Sequence, residues 1–122
     1  MYQASLAKSK AVFPTRNFRA LPLSLKIQWL AGYLEGEAHF RGEDTPKIII
    51  ETIDKDIAER VSQLIGGKIH TQNPRQSNWS ATYIAYIVSI FSYQALAVMT
   101  QIHPLMGKRR TEKIALIRST FS

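Results

Sequence analysis

Leu30-Ala31-Gly32-Tyr33-Leu34-Glu35-Gly36-Glu37-Ala38-His39-Phe40 is the stretch whose reading decides the fold of this chain. Worked backward from it, Ser24 is a plausible N-cap for a helix that starts at Leu25. Leu25, Trp29, Gly32 and Tyr33 mark one helical stripe, and Ile27, Leu30, Ala31 and Leu34 mark the adjoining one. Nearly every position after Gln28 is apolar or small, so burial is expected around most of the circumference, under a partner subunit or a sheet. Gly32 and Gly36, with Ala31 beside them, leave a strip without bulky side chains, where a second helix can approach closely.

Worked forward, residues 38–41 and 47–53 read as two strands joined by the turn Gly42-Glu43-Asp44-Thr45-Pro46. Asp54-Lys55-Asp56 opens a second helix with its acids at the positive end of the dipole, and Gly66-Gly67 ends it. Residues 68–72 and 81–89 read as a second strand pair around the polar loop 73–80. A third helix over 93–102 stops before Pro104, and a last one runs over 109–119. The order α-β-β-α-β-β-α-α predicts an α+β domain with a four-stranded antiparallel sheet. Residues 24–122 form that domain, and 1–23 form a basic, acid-free arm broken by Pro14 and Pro22. The arm reads either as a segment that packs on the domain or follows a phosphate backbone, or as a transit-type leader.

The length of 122 residues fits one domain with its own core. No cysteine is present, which excludes a disulfide scaffold, a thiolate nucleophile and any Cys-ligated metal. The apolar runs are too short to span a bilayer, so no membrane partner is expected. Sixteen Lys and Arg against nine Asp and Glu give a net charge of +7. Eight of the nine acids fall within residues 35–59, which hold only the bases Arg41, Lys47 and Lys55, so this centre is net negative by five. Thirteen bases and one acid, Glu112, make up the rest, net positive by twelve. A basic domain around an acidic centre fits a nucleic-acid binder with a divalent-metal site, and equally a basic protein with no polyanion partner.

The opening string resembles the signature helix of the LAGLIDADG homing endonucleases, in an L-A-G-x-L-E-G-E-G form whose last Gly is Ala38 here. Ile50-Glu51-Thr52-Ile53-Asp54-Lys55-Asp56-Ile57 is similar to that family's second strand and following helix. Ile102-His103-Pro104-Leu105-Met106-Gly107-Lys108-Arg109-Arg110 is similar to its P-x-x-G-basic segment, so the resemblance covers residues 24–119.

The resemblance implies a homodimer with the signature helices packed at the twofold axis, through Leu30, Ala31, Gly32, Leu34, Glu35 and Gly36. It implies Mg2+, or another divalent cation, at the motif's last acid, Glu37. Glu35 would be structural, bonding backbone groups around the partner helix end. Asp54 would position the attacking water, a role that can coexist with capping its helix. Arg109 and Lys108 would offset charge developing on the phosphoryl group. The implied activity is site-specific hydrolysis of double-stranded DNA, leaving short 3′ overhangs. The residues offered to DNA are Arg41, Lys47, Lys68, His70, Gln72, Arg75, Gln76, Asn78 and Arg110. The family also contains non-cleaving DNA-binding proteins and intron-RNA maturases, so RNA is the alternative partner. The first hairpin departs from the family's long curved ones. It is short, ends in Glu43-Asp44, and its Lys47/Ile49/Glu51 face offers one base, one apolar residue and one acid.

Overall fold

The computed structural model describes residues 17–72 and 83–121. A 3-10 turn at Phe18–Ala20 leads into α1 (Leu23–Glu37), β1 (His39–Arg41) and β2 (Lys47–Thr52). Then follow α2 (Lys55–Ile65), β3 (Lys68–Gln72), β4 (Ala85–Phe91) and α3 (Ser92–Ile102). A second 3-10 turn, His103–Leu105, precedes α4 (Lys108–Phe121). The expected order holds. No described helix is long and apolar enough to cross a membrane.

The sheet is antiparallel throughout, in the order β1-β2-β4-β3. Period-two alternation assigns its faces. Phe40, Ile48, Ile50, Val88 and Ile90 turn inward and are buried with Leu30, Leu34, Ala58, Val61, Met99, Ile102 and Ile114 from the helices. The four helices among the described residues lie on that inner side, so these residues form two layers and none of their helices covers the other sheet face.

Three local expectations shift. Helix α1 starts at Leu23, two residues early, because Pro22 takes the N-cap position and its carbonyl accepts from both Leu25 N and Lys26 N at 3.1 Å. Ser24 is therefore a helical residue. Strand β4 starts at Ala85 and runs to Phe91, since its pairing is set by β2 from Lys47↔Phe91 to Thr52↔Tyr86. The end of α2 matches its glycine signal: Gly66 is left-handed, φ 77°, and its N–H returns to Ser62 O at 2.8 Å.

The third correction concerns α1 itself. Its burial is one-sided within the chain. Leu30, Ala31 and Leu34 are 2%, 2% and 0% exposed, so their side chains pack in the chain's own core rather than presenting themselves at the surface. Leu25, Gln28, Gly32 and Gly36 form an exposed stripe on the opposite side. A Cβ built on Gly32 or Gly36 meets no atom within 4 Å.

Candidate active site

Helix α1 ends at Glu37, and its last turns are approached by two distant parts of the chain. Glu37 itself is exposed. A carboxylate at a helix C-terminus lies against the negative end of the dipole, which favours a nearby cation.

The residues next to it are tied down from the C-terminal third. Gly107 N donates to Glu35 Oε1 at 2.6 Å. Arg110 donates through Nε to Glu35 O at 3.1 Å and through Nη1 to Ala38 O at 2.8 Å. Its Nε is also 3.5 Å from Glu35 Oε2, and its guanidinium lies 5.5 Å from the Phe40 ring centroid. Arg110 therefore satisfies carbonyls that the last turn of α1 leaves without helical partners. Two expectations change accordingly. Glu35 is structural, but it bonds the backbone of its own chain at Gly107. Arg110, expected at DNA, is committed to the end of α1.

The same clasp delivers Lys108 and Arg109. Helix α4 begins directly after Gly107, whose carbonyl accepts from Thr111 N at 2.9 Å, so fixing Gly107 to Glu35 fixes the first turn of α4 against the last turn of α1. Both Lys108 and Arg109 are exposed. An open groove of about 380 Å3 lies alongside, lined by Arg109, Arg110 and Lys113 from α4 and by His39, Phe40, Arg41 and Glu43 from the first hairpin. Glu43, from the acidic end of the first hairpin, thus lines a groove with the four bases Arg41, Arg109, Arg110 and Lys113. Lys113 was missed from sequence. Its signal was the one-turn spacing from Arg109.

The second contribution comes from the corner between β2 and α2. Asp54 occupies the N-cap position of α2, yet its side chain makes no capping bond and is exposed. Its backbone N–H donates to Thr52 Oγ1 at 3.1 Å. The Tyr33 hydroxyl is held above the usual tyrosine range, first by burial and further by the charges of Glu37 and Asp54, with the Thr52 side chain acting in the opposite direction. Tyr33 therefore feels the charge of both carboxylates.

On the bare sheet face, register places His39 opposite Ile49, Ile49 opposite Ser89, and Ser89 opposite Lys68. Arg41 pairs with Lys47, and Lys47 with Phe91; Glu51 pairs with Ile87, and Ile87 with His70. Gln72 pairs with Ala85. Arg41, Lys47, Lys68, His70 and Gln72 thus share a face, as expected, interleaved with Ile49, Ile87 and Phe91. Lys47 Nζ stands 5.9 Å from the Phe91 ring centroid. Arg75, Gln76 and Asn78, and residues 1–16 of the basic arm, lie outside the described residues.

No protein-family model matches this sequence, and no curated protein matches it. Solved structures do match. One is the homing endonuclease I-CvuI bound to the I-CreI target with 2 mM Mg, its DNA not cleaved, at TM-score 0.56 and 12% identity over 78% of this chain. Another is I-CvuI bound to its own target with 2 mM Ca, at TM-score 0.52 and 12% identity over 77% of this chain. The chain spans 65% and 64% of the lengths of those two chains. At this identity the likeness establishes architecture: four helices on one face of a four-stranded antiparallel sheet, with the motif helix leading in. The chain has the fold of the LAGLIDADG homing endonucleases that its Leu30–Ala38 string resembles.

Proposed function

We propose that two copies of this chain form a site-specific, Mg2+-dependent double-strand DNA endonuclease of the homing type. The observation that carries this reading is the convergence at the end of α1. The exposed Glu37 carboxylate ends that helix, Glu35 two residues before it holds the basic start of α4, and Tyr33 one turn before it feels the charges of both Glu37 and the uncapped Asp54.

The donor set suits a hard divalent cation. Glu37 is an exposed oxygen ligand, leaving room for water and phosphate oxygens to complete the coordination. Among the described residues no group of three or more His, Asp or Glu is gathered to hold a metal. Each chain then brings one carboxylate rather than a cage, and a second Glu37 would come from a partner whose α1 packs on the exposed Gly32 and Gly36 stripe. When bound, the cation supplies Lewis acidity toward a phosphoryl oxygen and a more acidic water.

The chain's own residues do the rest. The Asp54 carboxylate accepts a hydrogen bond from the attacking water and aims it. Arg109 and Lys108 would offset the negative charge that grows on the phosphoryl oxygens, a role supported by the Glu35–Gly107 bond that anchors the start of their helix. Arg41, Lys47 and Lys68 attract the phosphate backbone, while His70 and Gln72 offer donors to base edges. Cleavage of both strands leaves short 3′ overhangs.

The test is incubation with a plasmid library in Mg2+, beside a Glu37→Gln variant. Cleavage by the wild type that disappears in the variant, with DNA binding kept, supports the endonuclease. Binding by both with no cleavage by either refutes it. That second outcome belongs to another reading, a non-cleaving DNA-binding protein or an intron-RNA maturase. The apolar Ile49, Ile87 and Phe91 within the outer sheet face favour it, since they give up positions where donors would read bases.

A further inference from the structure

We propose that the open groove between the first hairpin and α4 seats one backbone phosphodiester of bound DNA, a neighbour of the scissile one, with Lys113 and Arg41 as its cationic ligands. The inference rests on the DNA-binding part of the endonuclease reading and adds a site to it.

Arg109, Arg110 and Lys113 line the groove from α4, and His39, Phe40, Arg41 and Glu43 line it from the hairpin, around about 380 Å3 of open space. Arg110 is committed to Glu35 O and Ala38 O, so it forms a fixed wall rather than a free ligand. Arg41, Arg109 and Lys113 are exposed, and among the described residues none of the three has an ion-pair partner. Glu43 shares the groove, yet it pairs with none of these bases. Their charge is therefore left without an offset among the described residues.

Three placements bring like charges together here. Lys108, Arg109 and Arg110 fill the first turn of α4, which holds no acid, against the positive end of its dipole. Arg109 and Lys113 stand one turn apart on the same helix, a spacing at which like charges repel. Arg41 faces Lys47 directly across β1 and β2, where like charges are again unfavourable. Each arrangement weakens the free chain, and each becomes favourable once an anion enters among the bases.

The geometry also says which anion fits. Arg41 belongs both to the groove and to the outer sheet face, so a DNA strand lying on that face continues into the groove. Lys113 follows Arg109 by one turn, roughly 6 Å along the helix. With Arg109 serving the scissile phosphate, Lys113 takes the next part of the backbone rather than the same group. A phosphate contact of this kind holds the register of the strand and reads no base.

The experiment uses the full chain in Ca2+, with duplexes of the site that the wild type selects from the plasmid library. Lys113→Gln is an exposed change that leaves folding intact. It should weaken binding about five- to tenfold and lower the slope of log K against log salt by about one. Lys26→Gln removes the same charge from α1, roughly 16 Å along the helix from Glu37, and should leave that slope unchanged. In the wild type, replacing one phosphate of the site by a neutral methylphosphonate should cost the same five- to tenfold, and in Lys113→Gln that replacement should cost nothing more. Glu43→Gln should tighten binding about threefold, by removing an acid from the seat. Wild-type affinity and slope in Lys113→Gln overturn the seat and leave the endonuclease reading standing. A methylphosphonate penalty that Lys113→Gln leaves unchanged at every position also overturns it, since the lysine would then act only through net charge. Weaker binding by Glu43→Gln counts against it too, because the acid would then support the complex. A wild type that binds no DNA removes both readings.

Discussion

Glu35 Oε1 accepts a hydrogen bond from the Gly107 amide at 2.6 Å, across a sequence separation of 72 residues. That bond joins the end of α1 to the start of α4, and Arg110 closes it from the other side. The first motif acid is thus a clasp within one chain, and it sets where Arg109 stands relative to Glu37.

Replacing Glu35 by Ala removes an acceptor for Gly107 and the ionic partner of Arg110. Charge-assisted hydrogen bonds of this kind contribute about 1.5–3 kcal/mol, discounted here because the site is partly exposed, so a loss of about 1–2 kcal/mol is expected. Urea denaturation measures it. An unchanged midpoint would show that the clasp does not bear on stability.

Arg109 and Arg110 are adjacent yet should behave in opposite ways. Arg110→Met leaves Ala38 O and Glu35 O without a side-chain donor and should lower the urea midpoint, by about 1–2 kcal/mol. Arg109→Met touches an exposed residue and should stay within about 0.5 kcal/mol of wild type while cleavage falls. Equal effects on both properties from both variants would contradict the division of roles.

Gly32→Leu separates folding from assembly. The added side chain enters open space in the single chain, and leucine favours a helix over glycine by up to about 1 kcal/mol. Each chain should therefore fold at least as well as before. Light scattering should nevertheless report a monomer, because the partner helix can no longer approach. An intact dimer would mean that the subunits meet elsewhere.

Tyr33 has a consequence at alkaline pH. Burial, with the nearby charges of Glu37 and Asp54, holds its hydroxyl above the ordinary value of 10.0. The native chain thus keeps a proton that the unfolded chain releases, so this stabilisation is present below about pH 10 and is lost as pH rises through the folded value. Phenolate absorbance should show a late step that vanishes in Tyr33→Phe, and that variant should lose less stability between neutral and strongly alkaline pH.

DNA affinity should fall steeply with salt, and Lys68→Ala should reduce the slope of log K against log salt by about one, uniformly across sequences. His70→Ala should instead relax discrimination at one position and leave the slope nearly unchanged. A salt-independent affinity would argue against the basic sheet face as the contact.

Much of the architecture was written locally. The alternation in Lys47–Thr52 assigned its faces, and Gly66 ended α2 where a left-handed residue was needed. The motif placed Glu37 at a helix end, and Asp54 at a helix start. Local signals failed where a neighbour in space made the decision. Ser24 looked like a cap, but Pro22 already supplied the carbonyl. The first residue of β4 depended on where β2 ended.

The residues near the candidate site divide in the same way. Residue type and spacing within one segment determined the fold class and the charge separation, because helix and strand periods and turn chemistry act over a few residues, while the candidates Glu37, Lys108 and Arg109 came from the resemblance of the motif string and the P-x-x-G-basic segment to a known family. Only the tertiary structure decided that Leu30, Ala31 and Leu34 face the chain's own core while Gly32 and Gly36 stay open. It also decided that Arg110 bonds the carbonyls of Glu35 and Ala38 at the end of α1. Those contacts join segments far apart in the chain, and no local pattern encodes which of several adjacent arginines, or which face of an apolar helix, finds its partner once the layers pack.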